Sequence, residues 1–251
     1  MRKKFNVLIT GGSKGLGRAL AIGFSREGHR IAIVSRNAEG LSQTYGRLKF
    51  NSEGNFFQSC DISVWTDCLG VADQLKEQFG YLNILINVAF GYGEKPLVEM
   101  EAGEIHDLFE TSTTGTALIT KASLDLLKNG YKITKRKSQI INIVADWGFP
   151  MHNIFTGPSL YVAAKYALYG FGTALHREIA PMGINVTNVY PGIIASDLDI
   201  DDSLNKVKDK YNNTAIPLGD IVNVIINCTK LESSVIRHLV LSPDNPDYNG
   251  L

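Results

Sequence analysis

Tyr161 and Lys165 stand four residues apart in the stretch YVAAK. On a helix that spacing places both side chains on one face, side by side. A phenol with an ordinary pKa of about 10 exchanges protons poorly at neutral pH. A neighbouring ammonium favours the phenolate and lowers that value. The pair is a candidate acid/base unit.

A second constellation lies near the N-terminus, in TGGSKGLGR. Gly11, Gly15 and Gly17 fall where a backbone must turn sharply and approach a diphosphate, with Ser13, Lys14 and Leu16 between them. The spacing is Gly-xxx-Gly-x-Gly, not the GxGxxG of the standard dinucleotide fingerprint. A strand before it and a helix after it would aim free backbone N–H groups and a positive helix end at phosphate. The stretch VSRN adds Ser35, Arg36 and Asn37, where a site for NAD would place an acid against the ribose 2′-hydroxyl. Arg36 and Lys14 together point to a 2′-phosphate, hence to NADP(H). A tight turn without ligand and a surface arginine are the plain alternatives.

A third stretch, NIVADWG (Asn142 to Gly148), is an apolar run followed by a small residue, an acid, a tryptophan and a glycine. It reads as a buried strand end that delivers side chains to a ligand.

The elements that must position these groups follow from the apolar pattern. Strands are expected over 5–10, 30–35, 55–60, 83–89, 138–144, 184–190 and 235–241. Helices are expected over 17–28, 37–51, 64–79, 104–128, 159–180 and 217–230, with Gly80 a C-cap. Strands without clean alternation belong to a sheet buried on both faces. Regular β-α alternation implies parallel strands and right-handed crossovers. The expected fold is a single α/β domain over 1–251, a Rossmann-type doubly wound parallel sheet. Residues 193–216 carry no clear pattern and read as a substrate loop.

Composition agrees. The chain has 251 residues, 44% hydrophobic and 20% charged, enough for a sizeable core. Acidic and basic residues balance at 25 each, which gives no electrostatic reason to expect nucleic acid or an anionic membrane. The basic run Lys132, Lys135, Arg136, Lys137 reads as a solvated loop. Cys60, Cys68 and Cys228 match no metal-ligand spacing and read as reduced thiols, which suits the cytoplasm. No apolar stretch has the length of a signal core or a membrane span.

Taken in order, TGGSKGLG, Asp61 after the third strand, NVA after the fourth, YVAAK and the Pro-Gly after the sixth make the chain resemble the short-chain dehydrogenase/reductase superfamily. The resemblance covers essentially the whole chain. It implies seven parallel strands, a nicotinamide cofactor and a homodimer or homotetramer built on helices 104–128 and 159–180. It places Asp61 and Ile62 at the adenine, Asn87 and Ala89 near a ribose, and Pro191, Gly192 and Ile194 around the nicotinamide. Ser196 falls near the diphosphate or carboxamide. Lys165 would also bind a ribose hydroxyl, and Tyr161 would protonate a carbonyl oxygen as hydride arrives.

Two of the family's catalytic positions are changed. The serine near the end of the fifth strand is replaced, with Val144 and Ala145 following Ile143. The helix asparagine is Ser112, and NNAG is reduced to NVAF. The interval before Tyr161 also suggests an insertion between Gly148 and Ser159. A lost oxyanion donor costs about 10²–10³ in rate. Asp146 is one candidate substitute, as a protonated donor or as an anion for a cationic substrate. A capping or solvent-facing acid is the alternative. Ser159 and Thr156 are further hydroxyl donors, and Ser112 would hold the water the asparagine normally holds. Trp147, Phe149, Met151, His152, Phe155, Phe90 and Tyr92 would line an aromatic pocket, or else pack the core or an interface. The expected function is NADPH-dependent reduction of a carbonyl or imine on a small, cyclic or aromatic metabolite. The rivals are an NADP-binding protein with little turnover, as sensor or partner subunit, and a non-redox dehydratase or isomerase.

Overall fold

The computed structural model describes residues 4–49, 54–91, 93, 95–150 and 157–245. Among these, seven strands form one parallel sheet in the order β3-β2-β1-β4-β5-β6-β7. They are β1 Asn6–Thr10, β2 Arg30–Ser35, β3 Phe56–Ser59, β4 Ile84–Asn87, β5 Ser138–Ile143, β6 Ile184–Pro191 and β7 His238–Leu241. The helices are α1 Gly15–Arg26, α2 Ala38–Tyr45, α3 Trp65–Phe79, α4 Ala102–Phe109, α5 Thr116–Thr134, α6 Ser159–Ile179, α7 Leu204–Tyr211 and α8 Leu218–Thr229.

The central strands read as largely apolar runs because both faces are covered. Successive side chains point to opposite faces. Val7, Ile9, Ile31, Ile33, Ile84 and Ile86 therefore join one core with Leu20 and Phe24 of α1 and Ile221 and Ile225 of α8. Leu8, Ala32, Val34, Leu85 and Ile140 join the other, with Leu75 of α3, Ile119 and Leu127 of α5 and Leu175 of α6. The layers are those of a doubly wound Rossmann-type sheet.

Three expected elements are corrected. The helix over 104–128 is two helices joined by a π-turn at Glu110–Gly115, and α5 runs on to Thr134. The turn ends in close packing: a Cβ on Gly115 would meet Ile62 Cγ1 at 2.7 Å. The Thr116 hydroxyl donates to the Ser112 carbonyl at 2.6 Å. The helix over 37–51 stops at Tyr45, with Gly46 at its cap. The segment 193–216 holds α7, whose N-cap Ser203 accepts from the Lys206 N–H. Tyr92, Met151, His152, Phe155 and Thr156 lie outside the described residues.

One polar seam crosses the interior. Asn87, Asn142 and Asn188 are in register on β4, β5 and β6. Asn87 Nδ2 donates to Asn142 Oδ1 at 2.9 Å, and Asn142 Nδ2 donates to Asn188 Oδ1 at 3.1 Å. Helix α6 approaches this seam closely enough that a Cβ on Gly172 would lie 2.1 Å from Asn188 Oδ1.

Candidate active site

Strand order reverses between β1 and β4, and a crevice opens beyond their carboxyl ends. Thr10 ties the two strand ends together: its Oγ1 accepts from the N–H groups of Val88 and Ala89, at 3.0 and 3.1 Å. The groove above has a volume of about 960 Å³. Gly11, Ser13, Lys14, Gly15, Leu16, Gly17, Arg36, Asp61, Ile62, Ala89 and Ser196 all line it.

The local chemistry suits an adenosine phosphate. The N-terminus of α1 has no side-chain cap and no acid in its first turn, so its N–H groups and dipole face the groove uncompensated. Gly17 is required by contact, since a Cβ there would lie 2.2 Å from the Gly11 carbonyl oxygen. Gly11 has φ +68°, which a side chain would strain. Ser196 lies across from Gly15, 3.4 Å from its notional Cβ. At the far end, Arg36 stands 3.8 Å from Asp61, with side chains 64% and 31% exposed. An ion pair that exposed is weak, so the guanidinium keeps donors for a phosphate. Asp61 also accepts from the N–H and hydroxyl of Ser63.

Tyr161 lies in the first turn of α6, which begins after Pro158, and Lys165 follows one turn on. Lys165 is only 5% exposed, and its Nζ lies 5.3 Å from the Tyr161 ring centre. The same Nζ lies 3.5 Å from the ring centre of Phe90. A desolvated cation–π contact of this kind is worth about 2 kcal/mol. Phe90 and Trp147 flank Tyr161 edge-on, at 5.2 and 5.7 Å between ring centres. Among the described residues, Phe90 lines the groove, and Tyr161 and Lys165 do not.

The turn Asp146–Gly148 rests on Lys165: a Cβ on Gly148 would meet Lys165 Cβ at 2.8 Å. Asp146 is buried, and its Oδ1 accepts from the Trp147 N–H at 2.8 Å. Ala145 before it has φ +123° and ψ +158°, a region normally left to glycine. Ser112 is buried in the π-turn, and its Oγ accepts from the Gly91 N–H at 3.1 Å. That contact fixes the loop carrying Phe90.

The chain matches the model of the short chain dehydrogenase family over residues 5–206. It belongs to that family. It is 30% identical over 211 residues to human 3-oxoacyl-[acyl-carrier-protein] reductase, covering 84% of this chain and 82% of the relative. It is 29% identical over 214 residues to carbonyl reductase family member 4 of Xenopus laevis, again covering 84% and 82%. Among solved structures it superposes on an alcohol dehydrogenase from the archaeon Thermococcus sibiricus complexed with 5-hydroxy-NADP. The TM-score is 0.82 at 21% identity, over 98% of this chain and 100% of that one.

This short-chain dehydrogenase gathers most of the expected groove residues, but not all. Asn87 turns its side chain into the asparagine seam and Thr120. Pro191 ends β6, where the next N–H, of Gly192, donates to Leu241 O at 2.8 Å. Ile194 bridges to Ile216 and packs on the α1–α8 core. Phe149 packs against Tyr190 at 4.9 Å, in a small core with Val144 and Leu168. Two features carry no sequence signal. Arg47 grips Asp199 bidentately, at 2.6 and 2.9 Å, and Arg26 grips Asp201 at 2.6 Å through both nitrogens. These straps hold the segment after β6 beside the groove. The Arg47 guanidinium lowers the Asp199 carboxyl pKa to about 2. Among the described residues no helix is long and apolar enough to cross a membrane, and no His, Cys, Asp or Glu cluster could hold a metal. Cys60, Cys68 and Cys228 are buried free thiols.

Proposed function

We propose that the protein is an NADPH-dependent reductase of a carbonyl, or an imine, on a small cyclic or aromatic metabolite. The observation that carries this reading is the buried Lys165 ammonium beside the Tyr161 ring, with Phe90 linking the pair to the groove. When bound, the reduced nicotinamide supplies hydride to the substrate carbon. Tyr161 gives its phenolic proton to the substrate oxygen, and Lys165 stabilises the phenolate left behind. Lys165 also holds a ribose hydroxyl, so one ammonium orients cofactor and acid together. The glycine loop and the α1 N-terminus bind the diphosphate. Arg36 and Lys14 bind the 2′-phosphate, and Asp61 and Ile62 frame the adenine. Trp147 against Tyr161 supports a flat substrate. Relatives named for 3-oxoacyl and carbonyl reduction support the carbonyl class. The protein works in the cytoplasm as a homodimer or homotetramer built on α5 and α6. The segment 193–216 serves as its substrate loop.

Asp146 is the proposed stand-in for the serine missing at Ala145, since it is the buried acid nearest that gap. It directly follows the strained Ala145 backbone. A second reading, an NADP-binding protein with little turnover, is favoured by one observation. Ala145 offers no hydroxyl, and the Ser112 Oγ already accepts from the Gly91 N–H. NADPH oxidation measured against quinones, diketones, aldehydes and pterins decides between them. We expect turnover on at least one, reduced by about 10² or more in Tyr161→Phe. No turnover on any class, or full activity in that variant, sinks the reductase reading.

A further inference from the structure

We infer that Phe90 is a cover over the nicotinamide end of the groove, a side chain that the cofactor must displace before it can reach Lys165. The inference rests on the NADPH reading above and adds to it. Among the described residues, Phe90 is the aromatic ring shared by the two halves of the site. It faces the groove on one side, and on the other its ring centre lies 3.5 Å from Lys165 Nζ and 5.2 Å from that of Tyr161. A ribose hydroxyl and a phenyl ring cannot both take that face of one buried ammonium.

The backbone on either side is pinned. The Ala89 N–H donates to Thr10 Oγ1 at 3.1 Å, and the Gly91 N–H donates to Ser112 Oγ at 3.1 Å. A Cβ on Gly91 would lie 2.8 Å from Leu108 Cα, so that residue is also held by contact. The Phe90 side chain is only partly buried and borders open groove. The cover therefore opens by side-chain rotation, with the loop in place. The adenosine end of the groove, from Lys14 to Asp61, is not covered by it. An adenosine phosphate binds without moving Phe90, whereas a whole dinucleotide loses the cation–π contact on binding.

The test is equilibrium titration of wild type, Phe90→Ala and Phe90→Leu with NADPH and, separately, with adenosine 2′,5′-bisphosphate. We expect Phe90→Ala to bind NADPH about tenfold more tightly, equivalent to about 1.4 kcal/mol, with bisphosphate affinity within about twofold of wild type. Unchanged or weaker NADPH binding, with bisphosphate binding kept, overturns the cover and leaves the NADPH reading standing. If Phe90→Ala loses the bisphosphate too, its fold has failed and Phe90→Leu decides, because it keeps bulk and removes the π-face. NADPH binding to Phe90→Leu about threefold tighter than wild type supports the cover, and no gain overturns it. A wild-type protein that binds neither ligand overturns the NADPH reading and the cover with it.

Discussion

Arg36 is the side chain on which the proposed preference for NADP(H) rests. It is exposed, and its partner Asp61 stands at 3.8 Å, so the ion pair between them contributes little. A charge-assisted bond to a 2′-phosphate is worth more. Arg36→Ala should weaken NADPH binding by roughly tenfold to a hundredfold and leave NADH within about twofold. Equal losses for both, read by calorimetry, would remove its 2′-phosphate role. The structure sets Arg36 and Lys14 on the groove, and their sequence signal is a cation in the place of an expected acid. The part of Phe90 was not legible: a phenylalanine after Ala89 gives no hint that its ring will lie on Lys165, which comes only after α4, α5 and β5. Tyr161 and Lys165 were legible as a pair because four residues on a helix always make neighbours.

The strands were the most readable elements, because a sheet covered on both faces must be apolar throughout. Their asparagines are the exception, and the sequence does not announce that three of them align. Asn142 is the middle member, donating to one neighbour and accepting from the other. Asn142→Leu should cost about 1–3 kcal/mol for each buried group left unpaired, read as a lower urea midpoint at an unchanged slope. A change below about 0.5 kcal/mol would mean that the seam relaxes and is not a source of stability. The break at Glu110–Gly115 escaped the helical pattern, and the approach of Ile62 to Gly115 there is a contact across the fold. Local propensity cannot report such a contact.

Across the whole molecule, the straps from Arg26 and Arg47 tie the segment after β6 to α1 and to the turn after α2. They join positions 175 and 152 residues apart, so local patterns are silent about them. Both pairs are well exposed and each is worth about 0.2–1 kcal/mol. Arg47→Ala should speed hydrogen exchange in residues 197–203 by up to about fivefold, with the sheet unaffected, and high salt should do the same to wild type. Because Arg47 depresses the Asp199 carboxyl to about 2, the strap is intact at neutral pH and is lost only as pH falls through that value. Faster exchange already near pH 6 would contradict this assignment. The strand order has one more consequence, for the making of the protein. Strand β1 is central, yet its partner β4 follows about 77 residues after it, the separation of the bonded pair Asn6 and Asn83. At ordinary ribosomal speed the apolar edge of β1 waits roughly 4–15 s for β4 to be synthesised. During that interval the nascent chain carries an open strand, and a chaperone or β2 alone must keep it from pairing elsewhere.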